Sequence, residues 1–179
     1  GRFRAIFDKS FQFSIILDTE GKVLEMNELC HTVCGPLAQE SQGKPFWEAS
    51  WWSEFPEVQE KTKSAIQRIQ TEDSDNDEVT FIDRDGQRRH GVRIFSPIRD
   101  ENRALICISV VGQDVTERKR VEAELKASEK RSLAWLEHSP VCTKIVDLDF
   151  NLQYMSATGI EQLKIDDITQ FYGTAYPFP

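Results

Sequence analysis

The chain has 179 residues, with 30 acidic against 22 basic side chains and a net charge of −8. A surface of that sign repels phosphate backbones, which argues against nucleic acid as a partner. The longest apolar run, Ala104 to Gly112, falls far short of the roughly 20 residues a bilayer-spanning helix needs, so no membrane contact is expected.

The length holds one domain of about 110 to 120 residues with its own core and part of another. Opening on Gly1 rather than methionine, the chain reads as a piece of a longer protein. Cys30, Cys34, Cys107 and Cys142 have no framework spacing and read as reduced thiols of a cytoplasmic protein.

In chain order, Phe3 to Phe7 forms an amphipathic helix. Phe11, Phe13, Ile15 and Leu17 then alternate with polar residues as a half-buried strand does. Thr19 to Lys22 supplies a turn around Gly21, and Val23 to Met26 makes a second strand. Asn27 is placed to cap a short helix. Gly35 to Phe55 is irregular and carries Phe46, Trp47, Trp51, Trp52 and Phe55. Pro56 suits a first helical turn, after which Val58, Thr62, Ala65, Ile66 and Ile69 share one face.

An acidic loop over Thr71 to Glu78 precedes a strand from Glu78 to Asp83, a turn at Asp85 and Gly86, and a strand from Arg88 to Ser96. Ala104 to Gly112 is apolar enough for a central strand covered on both faces. Glu117 to Glu137 lacks Gly and Pro, and at ~1.5 Å per residue it spans roughly 31 Å. Val121, Leu125, Ser128, Ser132 and Trp135 give that helix a heptad seam.

A segment recurs. Phe7 to Asn27 lies over Leu136 to Ser156 without a gap at a constant offset of 129, so that Ser10 meets Ser139, Asp18 meets Asp147 and Met26 meets Met155. Helix end, apolar strand, acidic turn and second strand keep their order in both copies, which marks a tandem array of one module. The second copy starts near Pro140 and has only about 40 residues, so a whole module does not fit.

Two strands, a helical middle and three strands, closed by Asp114-Val115-Thr116 and followed by a helix, resemble the PAS domain family of sensor proteins. Gly43 to Trp52 (GKPFWEASWW), with PEVQEK after it, is similar to the middle of PAS modules in histidine kinases. The resemblance implies an α+β fold: a five-stranded antiparallel sheet with helices on one face at 1–116, a helical connector at 117–139, and a partial second PAS module at 140–179. It also implies a ligand cavity between sheet and helices, with Phe13, Ile15, Phe46, Trp47, Trp51, Trp52, Ile66, Ile69, Phe81, Ile106 and Ile108 as candidate lining. Plain core packing is the favoured reading of those aromatics, because aromatics at such spacing are more often core than a cofactor box.

Asp114, Thr116 and Glu117 are the expected transmission joint. Asp114 and Glu117 have capping-box spacing, which stiffens the step from sheet to helix, although an ordinary exposed cap has the same spacing. By resemblance the parent is a sensor histidine kinase, with a diguanylate cyclase as the alternative. The segment itself is expected to relay a small ligand or partner to an output domain and to perform no catalysis. A spacer or dimerisation unit with a filled core is the rival. The expected partner is a second copy, paired through the connector, the N-terminal helix, or both.

Cofactor chemistry finds little support in the residues. Haem needs an axial ligand, and none of His31, His90 and His138 lies on the helix after Pro56, where haem-binding members of the family carry theirs. The Asn-Cys-Arg-Phe type motif of light-sensing flavin members is absent, which leaves a flavin bound some other way as the alternative to no cofactor. Cys30 and Cys34 alone make a poor metal site. The acidic run from Asp73 resembles a calcium loop, but Glu78 stands where glycine is required and Arg84 where the closing glutamate should be.

Overall fold

A computed structural model describes residues 2–177, the side chain of Phe3 excepted. The chain divides into two compact units, 1–119 and 120–179.

In the first unit, helix α1 (Arg2–Asp8) precedes strands β1 (Phe13–Leu17) and β2 (Val23–Met26). Helices α2 (Glu28–Cys34) and α3 (Pro36–Ser41), two single-turn 3₁₀ segments (Phe46–Glu48 and Ser50–Trp52) and helix α4 (Pro56–Arg68) form the middle. Strands β3 (Asp75–Ile82), β4 (Arg88–Arg99) and β5 (Leu105–Asp114) complete an antiparallel sheet of order β2-β1-β5-β4-β3. The initial hairpin thus lies beside the last strand, as the α+β reading requires. Helix α5 (Thr116–Glu137) follows β5 directly.

The core lies between the sheet and the helical middle, with Leu17, Phe46, Ile69, Phe95 and Ile108 essentially removed from water. Burying a side chain of this size contributes about 1.5–3 kcal/mol. Val58, Thr62, Ala65 and Ile66 are the buried face of α4, the face expected from their spacing. Gly21 is required twice over: its φ is +88°, and a Cβ there would stand 2.9 Å from Ile66.

Three expectations need correction. The first strand begins at Phe13, and Phe11 is 97% exposed. The chain before Phe13 is held by a side chain rather than by a ladder. Asn27, wholly buried, donates through Nδ2 to Gln12 O (2.8 Å) and Phe7 O (3.2 Å), while its Oδ1 accepts from the N–H of Ser14 (3.1 Å) and Cys30 (3.3 Å).

The second half of the supposed acidic loop is strand, since β3 starts at Asp75. Asp75 and Asp77 alternate with outward residues and are balanced by Arg68 (2.5 Å) and Arg93 (2.7 Å), which makes carboxylates tolerable on the inner face. Finally, β5 is covered on one face only. Ile108 and Val110 are buried, whereas the opposite face carries partly exposed Cys107, Ser109 and Val111 beside the exposed Ile94.

In the second unit, β6 (Lys144–Val146) pairs with β7 (Leu152–Met155), and α6 (Ala157–Gln162) is capped by Ser156, whose Oγ accepts from Gly159 N–H at 3.3 Å. The strand expected over Cys142 to Asp147 is thus three residues long, exposed throughout, and paired on one side only.

The repeat runs further than the ungapped alignment. Gly43 N–H donates to Val23 O (2.9 Å) in one copy, and Gly173 N–H donates to Leu152 O (2.7 Å) in the other. Both glycines have φ of +74°. A single inserted residue separates the two registers, which hid this part of the repeat from a gapless comparison.

Candidate ligand cavity and transmission joint

Strand pairing places Phe13, Gly112, Arg93 and Asp77 in one row across β1, β5, β4 and β3. The next row is Ile15, Val110, Phe95 and Asp75. Side chains in such rows pack shoulder to shoulder, so glycine at 112 leaves a gap between Phe13 and Arg93. Gly91, opposite Val79 on one side and Asp114 on the other, widens it.

A cavity of about 60 Å³ occupies this gap, roofed by Phe46, Trp51 and Trp52 from the 3₁₀ turns and bordered by Phe81 and by Cys30 and Cys34 of α2. A buried water needs ~10–15 Å³ on a comparable measure, so the space suits a molecule of a few heavy atoms. The aromatic wall is preorganised by edge-on contacts, with Phe46 to Trp52 at 4.8 Å and Phe13 to Phe81 at 5.7 Å between ring centroids. Trp52 Nε1 donates to Phe46 O at 3.0 Å, which fixes the indole.

Of the residues expected to line a cavity, Phe13, Ile15, Phe46, Trp51, Trp52 and Phe81 are brought together. The other five lie elsewhere. Trp47 and Ile66 pack on Gly21, Ile69 and Ile108 are fully buried in the core beside the cavity, and Ile106 is 56% exposed. A shift of register between Ile98 and Arg99 leaves Ile106 without a partner, since Cys107 pairs with Ile98 and Leu105 with Arg99. The bulge turns Leu105 onto the core and Ile106 outward.

Arg93 was not among the expected residues. It is 4% exposed, its Nε and Nη2 donate to Asp77 at 2.7 and 2.9 Å, and its guanidinium stacks between Trp52 and Phe95 with both centroids at 5.0 Å. Its Nη1 is buried and has no hydrogen-bond partner among the described residues. The sequence signal was the alternation Arg89, Gly91, Arg93, Phe95, which places two arginines and a glycine on the inner face of β4. Burial pushes the thiols of Cys30 and Cys34 up to about 12, so both stay protonated and line the cavity as apolar groups.

The joint adjoins this cavity. Arg89 bridges two carboxylates, donating from Nε to Asp83 (2.7 Å) and from Nη1 to Asp114 (2.9 Å). Asp83 also accepts from the N–H of Asp85 and Gln87, each at 2.9 Å. Burial pushes the Asp83 carboxyl up, but Arg89 and the two N–H donors outweigh it and hold the group below the ordinary carboxylate range. Asp114 is held low in the same way: burial opposes, while Thr116 and Arg89 prevail.

Asp114 accepts from Thr116 N–H (2.9 Å), Thr116 Oγ1 accepts from His90 N–H (2.8 Å), and Val115 N–H donates to His90 O (2.8 Å). Lys119, one turn into α5, pairs with Glu78 of β3. As its spacing allows, Asp114 thus accepts from the N–H of the first residue of α5, while the first helical backbone bond runs from Lys119 N–H to Val115 O. Glu117 remains in the first turn, where its charge favours the helix dipole.

Comparison with known proteins agrees with this architecture. The family described as the PAS fold matches residues 7–120, and the chain belongs to that family. The sensor histidine kinase TmoS of Ectopseudomonas mendocina is 32% identical over 124 residues, covering 68% of this chain and 13% of that protein. Hybrid signal transduction histidine kinase D of Dictyostelium discoideum is 26% identical over 134 residues, covering 73% of this chain and 9% of that one. The chain therefore spans about a tenth of the length of these curated relatives.

Among solved structures, the PAS domain of a Colwellia psychrerythraea protein superposes with a TM-score of 0.54 at 18% identity, covering 65% of this chain and 96% of that one. The PAS domain of BvgS from Bordetella pertussis gives 0.52 at 20%, covering 73% and 96%. Both likenesses concern the fold.

Proposed function

We propose that this chain is the cytoplasmic sensing segment of a sensor histidine kinase, in which a small molecule entering the cavity biases strand β5 and, through it, helix α5. Adjacency carries this reading. Gly112 lines the cavity, Asp114 stands two residues on in the same strand and anchors the joint, and Gly91, also lining the cavity, pairs directly with Asp114. A ligand that prefers one packing of this row shifts the population of joint arrangements by the difference in its affinity for them. The kinase names of the two relatives favour a kinase parent over a diguanylate cyclase, and the catalytic step belongs to a domain other than this one.

The cavity is smaller than the ~150 Å³ that holds a benzene, so a flavin ring would need the aromatic roof to move. A second copy is the natural partner of α5, because Val121, Leu125 and Trp135 are more than half exposed along its seam. The deciding experiment is a small-molecule screen read by amide shifts across β5 and the start of α5, with mass spectrometry of whatever co-purifies. Ligand-dependent shifts at Gly112, Asp114 and Thr116 are expected. Saturable binding elsewhere with a silent joint, or no binding at all, hands the segment to the spacer reading.

A further inference from the structure

Resting on the reading of the cavity as a ligand site, we infer that its occupant is a small uncharged molecule whose carbonyl oxygen, or an acceptor of like geometry, takes a hydrogen bond from Nη1 of Arg93. Three observations converge on that chemistry. Nη1 is the buried polar side-chain atom that lacks a partner among the described residues, and a buried donor left unmade is costly. Arg93 lines the cavity, and its cross-strand neighbour on β5 is Gly112, so the space beside the guanidinium is one that a side chain would otherwise fill. The remaining walls are Phe13, Phe46, Trp51, Trp52 and Phe81, which offer ring faces and edges to a compact apolar body.

Charge selects against an anion. Nε and Nη2 of Arg93 already hold both carboxylate oxygens of Asp77, so the buried pair is neutral as it stands. A carboxylate ligand would place a second anion on one guanidinium and would surrender its hydration on entering an aromatic enclosure. A neutral acceptor completes the guanidinium without that cost. The volume of about 60 Å³ limits the body to a few carbons.

The test uses the whole chain and probes matched in shape. Acetone and 2-methylpropene differ in exchanging C=O for C=CH₂. Acetamide and acetate differ in charge. Binding is followed by tryptophan fluorescence and by the side-chain Nε–H resonance of Arg93. Acetone is expected to bind about tenfold or more tightly than 2-methylpropene, the margin of a hydrogen bond to a charged donor, and acetamide more tightly than acetate. In Arg93→Met the ketone loses its advantage while 2-methylpropene keeps its affinity.

Equal affinity for ketone and alkene would overturn the inference and leave the cavity a purely apolar site, with Nη1 satisfied by water. Tighter binding of acetate would overturn the uncharged class. If no probe binds, the ligand reading itself falls. Should Arg93→Met fail to fold, the two probe ratios measured on the unaltered protein decide the question alone.

Discussion

Gly112→Ala separates a cavity kept open for function from one left by loose packing. Gly112 has no positive φ, so alanine fits its backbone. A Cβ built there meets Phe13 at 3.5 and 3.6 Å and Val92 O at 3.6 Å, which are ordinary contacts. Replacing a mid-strand glycine is worth about 0.5–1 kcal/mol, and the buried methyl adds up to ~0.8 kcal/mol. The variant is therefore expected to be more stable by about 1 kcal/mol, raising the midpoint of thermal unfolding by roughly 3–5 °C for a unit of this size. The same methyl occupies part of the space beside Arg93 and should weaken acetone binding. Urea and thermal unfolding followed by circular dichroism measure the first effect, and tryptophan fluorescence the second. A destabilised variant, or one that binds the probe as well as the parent, would refute the geometry assigned to this row.

Four further outcomes are expected. Gly21→Ala should cost more than the ~1–2 kcal/mol of its left-handed backbone alone, because its Cβ also meets Ile66 at 2.9 Å; an unchanged urea midpoint would contradict this. Asp83→Ala removes a carboxylate whose side chain is 1% exposed and accepts three hydrogen bonds, and it should cost about 2–4 kcal/mol in urea unfolding. Because Asp83 and Asp114 are both held below the ordinary carboxylate value of ~3.9, the stability they contribute is complete above that pH and is lost as pH falls through their folded values; a denaturation profile flat from pH 5 to pH 2 would dispose of this linkage. Asp114→Ala or Thr116→Ala should leave the unit folded at a cost of about 1 kcal/mol yet lower the signal response of the parent protein, and an undiminished response in both would remove the joint from the relay.

The sheet was legible because its strands alternate or run apolar, and α4 because Val58, Thr62, Ala65, Ile66 and Ile69 keep a helical period. The boundaries that slipped are places where side chains overrule pattern. Phe11 fits the alternation of β1, but Asn27 binds the chain at Gln12 and Ser14 in a way no local periodicity records. Asp75 and Asp77 look like solvent-facing loop residues until Arg68 and Arg93 are brought beside them from elsewhere in the chain. The aromatic roof of the cavity was legible by composition. The cavity itself was not, since it arises from what Gly91 and Gly112 omit across neighbouring strands, and register is a tertiary property. Arg93 was overlooked for the same reason: an arginine in a strand reads as exposed unless its partner is known.

The dimer expected of this chain rests on a different imbalance. Helix α5 buries none of its 22 residues, although Val121, Leu125, Leu133 and Trp135 are each more than half exposed along it. A helix that lacks a covered face forgoes the packing from which most helical stability in proteins comes, whereas pairing along a heptad seam buries the apolar stripe. Ser128 and Ser132 sit in the middle of the seam and add little burial, so the pairing should be modest in strength and sensitive to a single charge. Leu125→Glu is the sharpest perturbation, placing a carboxylate on the seam in both copies. Light scattering over a concentration series should find a dimer for the unaltered chain and a monomer for Leu125→Glu, with the circular dichroism of α5 reduced in the latter. A monomer at high concentration for the unaltered chain would leave α5 without its second copy, and the relay would then have to run through a single helix.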